Sequence, residues 1–250
     1  MTAVKRYQHL LSHTGIIFTI LMLLYYNQSV AAPLSLTPTS LTYSVYYNNF
    51  SIGNFQLELK KEKNTWVRTS TLVVSGLARS LLKYNLREIV QFKLNEKNQI
   101  LINTYTLETL LDKTPTGVNY ELIFNPNSTV TITTTNPQDA NTPQQTEIIK
   151  EISNIGALDE NTWLLQVGLD FATNNFIDQK SYTLIDSKGE VIETIATNST
   201  TTSVATPNPV IQMQKGNQIV VVTLNAEQNY LPMRIERWKK GKLELVFIAK

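Results

Sequence analysis

The chain has 250 residues, of which 42% are apolar and 17% charged, a balance that suits a folded domain with a sizeable core. It has no cysteine, and its two histidines, His9 and His13, both lie close to the start. For the rest of the chain this excludes disulfides, thiolate nucleophiles, Ser-His-Asp or Cys-His catalysis, and zinc sites built from histidine or cysteine.

The first segment has the order of a secretory signal peptide. "MTAVKRYQHLLSH" carries Lys5 and Arg6, Gly15 to Tyr26 form an apolar run, and "NQSVAA" supplies small residues. Cleavage is expected after Ala31, because a cut after Ala32 would place Pro33 next to the scissile bond. The apolar run falls short of the roughly 18 residues of a membrane-spanning helix, so a retained anchor is the lesser alternative. The formal net charge is +2, from 22 basic and 20 acidic side chains. Lys5 and Arg6 account for that excess, and the sequence pI of 8.6 is in part a property of the leader. A neutral mature chain gives no electrostatic case for nucleic acid or for anionic membrane surfaces. No lipidation cysteine follows the cleavage point, so residues 32–250 are expected to form one soluble β-rich domain without an integral span.

Alternation dominates the chain beyond the leader. In "LTYSVYYNNF" Leu41, Tyr43, Val45 and Tyr47 share one face, and after Asn48-Asn49 and Gly53 the run "FQLELK" points Phe55, Leu57 and Leu59 the same way. "KEKN" turns into the β-branched "TWVRTSTLVV". "REIVQFKL", the turn Asn95 to Asn98, "QILINTYTLETL", "VNYELIF" and "TVTITTT" continue the pattern. Strands joined by short polar turns describe an antiparallel meander. "LDENTWLLQVGLDFATNN" is the best helix, with Asp159 as N-cap, Asn174-Asn175 as stop, and Trp163, Leu164, Val167 and Phe171 on one stripe to pack on a sheet. Gly168 lowers its propensity by about 1 kcal/mol relative to alanine. "NPQDANTPQQ" and "ATNSTTTSVATPNP" read as surface loops. The closing "NYLPMRIERWKKGKLELVFIAK" reads as a hairpin: Pro232 marks a strand start, Gly241 supplies the turn, and the last strand is apolar on both faces, as if buried on both.

The fold class expected is mainly β, a strongly curved antiparallel sheet of half-barrel or open barrel-like form with one or two short packing helices. Candidate chemistry is sparse. "SLLK" at Ser80 to Lys83 matches S-x-x-K, but its companion motifs are missing. Asp159, Glu160 and Asp170 could form an acid pair for glycan hydrolysis, although capping and solvated charge explain them more simply. Tyr43, Tyr46, Tyr47, Tyr105, Tyr120 and Tyr182 could stack on sugars or line a cavity, but on strands they read first as packing residues. One site is carried forward. The apolar segment "SGLARSLLKY", with Leu77, Leu81, Leu82 and Tyr84, could act as a lid over an apolar ligand rather than simply plug the core. No phosphate loop, calcium loop or metal cluster is present, so no cofactor is expected.

"LTYSVYYNNFSIGNFQLEL", "VSGLARSLLKY", "LDENTWLLQVGLDFA" and "NYLPMRIERWKKGKLELVFIAK" occur in an order that resembles the bacterial exported family known as domain of unknown function 3108. The resemblance spans nearly the whole mature chain, and departs from the family pattern at Ala196 to Pro209, where a shorter glycine-containing connection is typical. It implies a periplasmic location, a curled half-barrel sheet and no transferable catalytic residues. The function expected is therefore a non-catalytic cell-envelope protein that binds a lipid-like or other apolar ligand. The alternatives are an interaction module for an envelope protein, without a small ligand, or a carboxylate-dependent glycan hydrolase.

Overall fold

The computed structural model describes residues 36–76, 78–81, 85–111, 114–115, 119–126, 129–136, 144–151, 156–186, 189–199 and 208–250. The expected leader lies outside them. The N-terminal half supplies β1 (Thr39–Tyr47), β2 (Phe50–Glu62), β3 (Thr65–Val74), the short helix α1 (Ala78–Leu81), β4 (Asn85–Leu94) and β5 (Ile100–Leu111). Then come β6 (Thr114–Pro115), β7 (Asn119–Phe124), β8 (Thr129–Asn136), β9 (Gln144–Glu151) and the helix α2 (Thr162–Ala172). The remainder is β10 (Gln179–Ile185), β11 (Val191–Asn198), β12 (Val210–Lys215), β13 (Gln218–Asn225), β14 (Leu231–Lys239) and β15 (Lys242–Ala249).

All the strands belong to one antiparallel sheet, because the chain joins neighbours with turns too short for a crossover. Its path runs β10 through β15, then β1 through β5, then β7, β8 and β9, with β6 paired to the end of β5. The first and last strands of the sequence pair in its middle, Tyr43 opposite Ala249 and Tyr47 opposite Leu245. The sheet is open, since β9 and β10 end the path. Leu158 covers the β10 edge: its N–H donates to the Thr183 carbonyl and its carbonyl accepts from Ile185 N–H, both at 2.9 Å. The far end of the path comes back to the start, because Lys150 Nζ of β9 donates to the Gly189 carbonyl in the β10–β11 turn at 3.4 Å. A sheet with the right-handed twist of its strands has curled almost into a barrel.

α2 fills the interior of that curl. Every residue from Thr162 to Asp170 is buried. The single apolar stripe of the sequence predicts one face on a sheet; the sheet instead wraps the helix, and its polar side chains Gln166 and Asp170 are buried with partners. Gln166 Oε1 accepts from Ile100 N–H at 2.6 Å, and Asp170 takes Tyr182 O–H at 2.7 Å and Lys180 Nζ at 2.8 Å. Gly168 has a structural purpose there, since a Cβ at that position would stand 2.6 Å from the Tyr230 carbonyl oxygen. Asp159 performs the capping: its Oδ1 accepts from the N–H groups of Asn161 and Thr162, both at 3.0 Å.

The closing hairpin turns over Lys240 and Gly241, both at positive φ (49° and 74°), as a two-residue loop between Lys239 and Lys242 demands. β15 is interior to the sheet, and its burial on the two faces is partial. Phe247 and Ala249 pack on the core, and on the other face Val246 is 7% exposed whereas Ile248 is 37% exposed. The outer face of the curl meets no second layer among the described residues, and side chains there such as Ile195 (53%) and Ile248 (37%) remain open to water.

Candidate functional site

The inner faces of β3, β4 and β5 carry polar residues where the alternation calls for core. Trp66, Arg68, Ser70 and Leu72 share the inward face of β3, and Arg68 lies fully buried opposite Leu59 of β2 and Val90 of β4. Its Nη1 donates to Ser70 Oγ at 2.7 Å and lies 3.4 Å from Glu88 Oε2, while Nη2 donates to Asp159 Oδ1 at 2.9 Å. Glu88 also accepts from Asn161 Nδ2 at 2.5 Å and from Tyr105 O–H at 3.4 Å. On the opposite arm of the curl, Arg237 Nη2 of β14 donates to Glu160 at 2.5 Å, and Lys215 of β12 pairs with the same carboxylate. Both arms of the sheet thus grip the entry turn of α2, Asp159 and Asn161 from one side and Glu160 from the other.

Beside that turn the core is not filled. A cavity of about 380 Å³ opens between the α2 entry and the inner sheet face. Phe55, Leu72, Leu86, Leu107, Leu245 and Phe247 give it apolar walls, and Glu88, Asp159, Glu160, Lys215 and Arg237 give it polar ones. Trp163 also lines it, stacked edge-on against Tyr182 at 6.1 Å. Leu72 and Leu86 lie near the end of β3 and the start of β4, so the β3–β4 connection, the segment predicted as a lid, springs from strands that line the cavity. Of that prediction's residues, Leu77, Leu82 and Tyr84 lie outside the described residues, and Leu81 is described only as the backbone end of α1.

The sequence reading missed Arg68 and Glu88. The signal was present: each is a charged residue on the apolar face of a strand with regular alternation, Arg68 between Trp66 and Leu72, Glu88 between Leu86 and Val90. Such a side chain must find a partner inside. The simpler expectation for the acids that the sequence did single out holds in part: Asp159 caps α2, but none of the three is merely solvated charge. Asp159 pairs with Arg68, Glu160 with Lys215 and Arg237, and Asp170 with Lys180. Three of the six tyrosines are internal anchors, with Tyr43 donating to the Pro232 carbonyl at 2.7 Å, Tyr105 to Glu88 and Tyr182 to Asp170. Burial raises the phenol pKa of all three. Tyr47 is 47% exposed. Among the described residues no group of histidine, cysteine or acidic side chains is placed to hold a metal ion, and no helix is long and apolar enough to cross a membrane.

Burial is the main influence on Glu88 and pushes its carboxyl above the usual range, helped by the Asp159 charge and opposed by Arg68 and Asn161. Glu160 goes the other way. Burial works against its charge, but the Lys215 hydrogen bond and the charges of Arg237 and Lys215 prevail and lower its pKa. The two have opposite signs in the stability balance. With a raised folded value, Glu88 binds more protons in the native state, so its contribution falls as pH rises from the unfolded value through the folded one. Glu160 contributes above its unfolded value and loses that contribution as pH falls through its folded one. Glu88→Gln is therefore expected to remove the first effect, leaving the urea midpoint flatter than the wild type's as pH rises above the ordinary glutamate range. Parallel midpoint curves for the two proteins would show that the Glu88 carboxyl is not perturbed.

No protein-family model matches the chain. No curated protein matches it either. Among solved structures, the chain is similar to a beta-barrel-like protein of domain of unknown function DUF1849 from Brucella abortus. The two share 9% identity at a TM-score of 0.54, over 87% of this chain and 97% of that one. The likeness extends to the open, barrel-like fold.

Proposed function

We propose that the protein is a non-catalytic component of the bacterial cell envelope that binds a small apolar or lipid-like ligand inside the curl of its sheet. The observation that carries this reading is the cavity of about 380 Å³ beside α2. Close packing is the rule for protein interiors, and an apolar-walled space of this size falls within the roughly 300–1,000 Å³ range of small-molecule sites. Its walls come from both arms of the sheet and from the helix, so the fold itself builds it. The leader expected at residues 1–31 and the resemblance to the domain of unknown function 3108 family support export to the periplasm.

The reading is tested with the uncharged fluorophore N-phenyl-1-naphthylamine. The mature protein is expected to bind it with a blue shift and enhanced emission, the sign of an apolar site. Leu107→Trp, which places a larger ring in the cavity wall, should weaken binding about tenfold or more while leaving the circular dichroism spectrum unchanged. Equal binding by wild type and Leu107→Trp would sink the proposal, as would no binding at all. Native mass spectrometry of freshly purified protein then shows what occupies the site in the cell.

A further inference from the structure

The chemistry of the cavity's polar end narrows its ligand, and this step rests on the ligand-binding reading above. Four buried polar atoms around the α2 entry have no protein partner, Arg68 Nε, Asp159 Oδ2, Thr162 Oγ1 and Trp163 Nε1, and of these Asp159 and Trp163 belong to residues that line the cavity. Asp159 is 4% exposed and uses Oδ1 for Arg68 and the helix cap, leaving Oδ2 without a donor. Trp163 is fully buried, and its indole N–H has no acceptor. The two residues stand four apart at the start of α2, so they lie on one face of its first turn, and both line the cavity. A buried acceptor and a buried donor each cost about 1–3 kcal/mol when left unsatisfied, so a group that serves both gains more than either alone.

Charge decides what that group is. The cavity lining includes the carboxylates of Glu88, Asp159, Glu160 and Asp186 but only two cations, Lys215 and Arg237, and both of these engage Glu160. Arg68, behind the wall, engages Asp159 and Glu88. An anionic head would meet like charge, with the two lining cations committed to Glu160 and the unpartnered Nε of Arg68 on a side chain that does not line the cavity. A cationic head could satisfy Asp159 but would present only donors to the indole N–H, itself a donor. A hydroxyl both donates and accepts. The volume of about 380 Å³ lies near the small end for ligand pockets and has room for one acyl-sized body rather than two.

We infer that the cavity selects a single-chain amphiphile with an uncharged, hydroxyl-bearing head, which donates to Asp159 and accepts from the Trp163 indole N–H, while its apolar body lies along Leu72, Leu86, Leu107 and Phe247. The test titrates the mature protein with 1-monododecanoylglycerol, dodecanoate and dodecylammonium below their aggregation limits, with N-phenyl-1-naphthylamine as a head-independent probe of the apolar walls. The glycerol ester is expected to bind at least about tenfold more tightly than either ion. Trp163→Phe, which keeps a ring but removes the N–H, is expected to weaken the ester by up to about tenfold more than it changes naphthylamine binding. Dodecanoate or dodecylammonium binding as well as the ester overturns the head-group inference, and so does an ester affinity unchanged in a Trp163→Phe protein that still binds the naphthylamine. If that variant does not fold, the ranking of the three heads on the wild type decides alone. Naphthylamine binding without a preference among heads overturns this inference only, whereas failure of all four probes overturns the ligand reading beneath it.

Discussion

Removing the last nine residues, Lys242–Lys250, is expected to abolish folding. Chain termini commonly fray and tolerate trimming, but β15 is not at a margin of this molecule. It pairs with β14 from Arg234 opposite Ile248 to Lys239 opposite Lys242, and with β1 from Tyr43 opposite Ala249 to Tyr47 opposite Leu245. Among the described residues no other strand joins the β10–β14 arm to the β1–β9 arm in the ladder. Its loss leaves two half-sheets with fresh edges, whose backbone groups face a gap. It also takes Phe247 and Ala249 from the core, and with Phe247 the edge-on contact to Phe55 at 5.4 Å. A domain stable by only roughly 5–15 kcal/mol has little margin for such a loss. The truncated protein should show no cooperative urea transition and no native near-ultraviolet circular dichroism. A soluble truncation with a single sharp transition would overturn the argument.

That strand also shows where sequence reading stops. The alternation of Leu243, Leu245 and Phe247 and the Lys240-Gly241 turn were legible, because a strand's period and a hairpin's φ angles are local properties. So were the first hairpin, the turn before Thr65 and the Asn95 turn. The partner of β15 on its other side was not, since its pairing with β1 spans nearly the whole chain and leaves no local trace. The same limit explains α2. Its apolar stripe was legible, but Gln166 and Asp170 made the helix look half-exposed. Their partners, Ile100 N–H and the Tyr182 hydroxyl, sit on strands outside the helix, where no local pattern announces them. The site was the least legible part. Apolar residues such as Leu77 and Leu82 attracted notice as a run, whereas the cavity is built from single residues of many strands, each an ordinary member of its own pattern.

Arg68 is the position at which stability and function meet, and Arg68→Met is expected to cost about 3–5 kcal/mol in a urea titration. The guanidinium is fully buried, and its loss leaves the Asp159 and Glu88 carboxylates close together with no neutralising charge between them. A loss below about 1 kcal/mol would show that the cluster is not held by the ion pair. The physics of buried ion pairs carries the argument further. Desolvation offsets most of what such a pair gains, so an apolar or neutral substitute for the whole group is often no worse than the original. The triple variant Arg68→Met, Glu88→Gln, Asp159→Asn removes all three charges together and should recover most of the stability lost in the single one. If stability were the only purpose of the cluster, the triple variant would then match the wild type in every respect. It should not, because the introduced amide would present an N–H where Asp159 presents an acceptor, and the preference for 1-monododecanoylglycerol over dodecanoate should shrink or vanish. A triple variant that folds well and keeps the full preference would place the polar cluster in the scaffold and leave head-group selection to other residues.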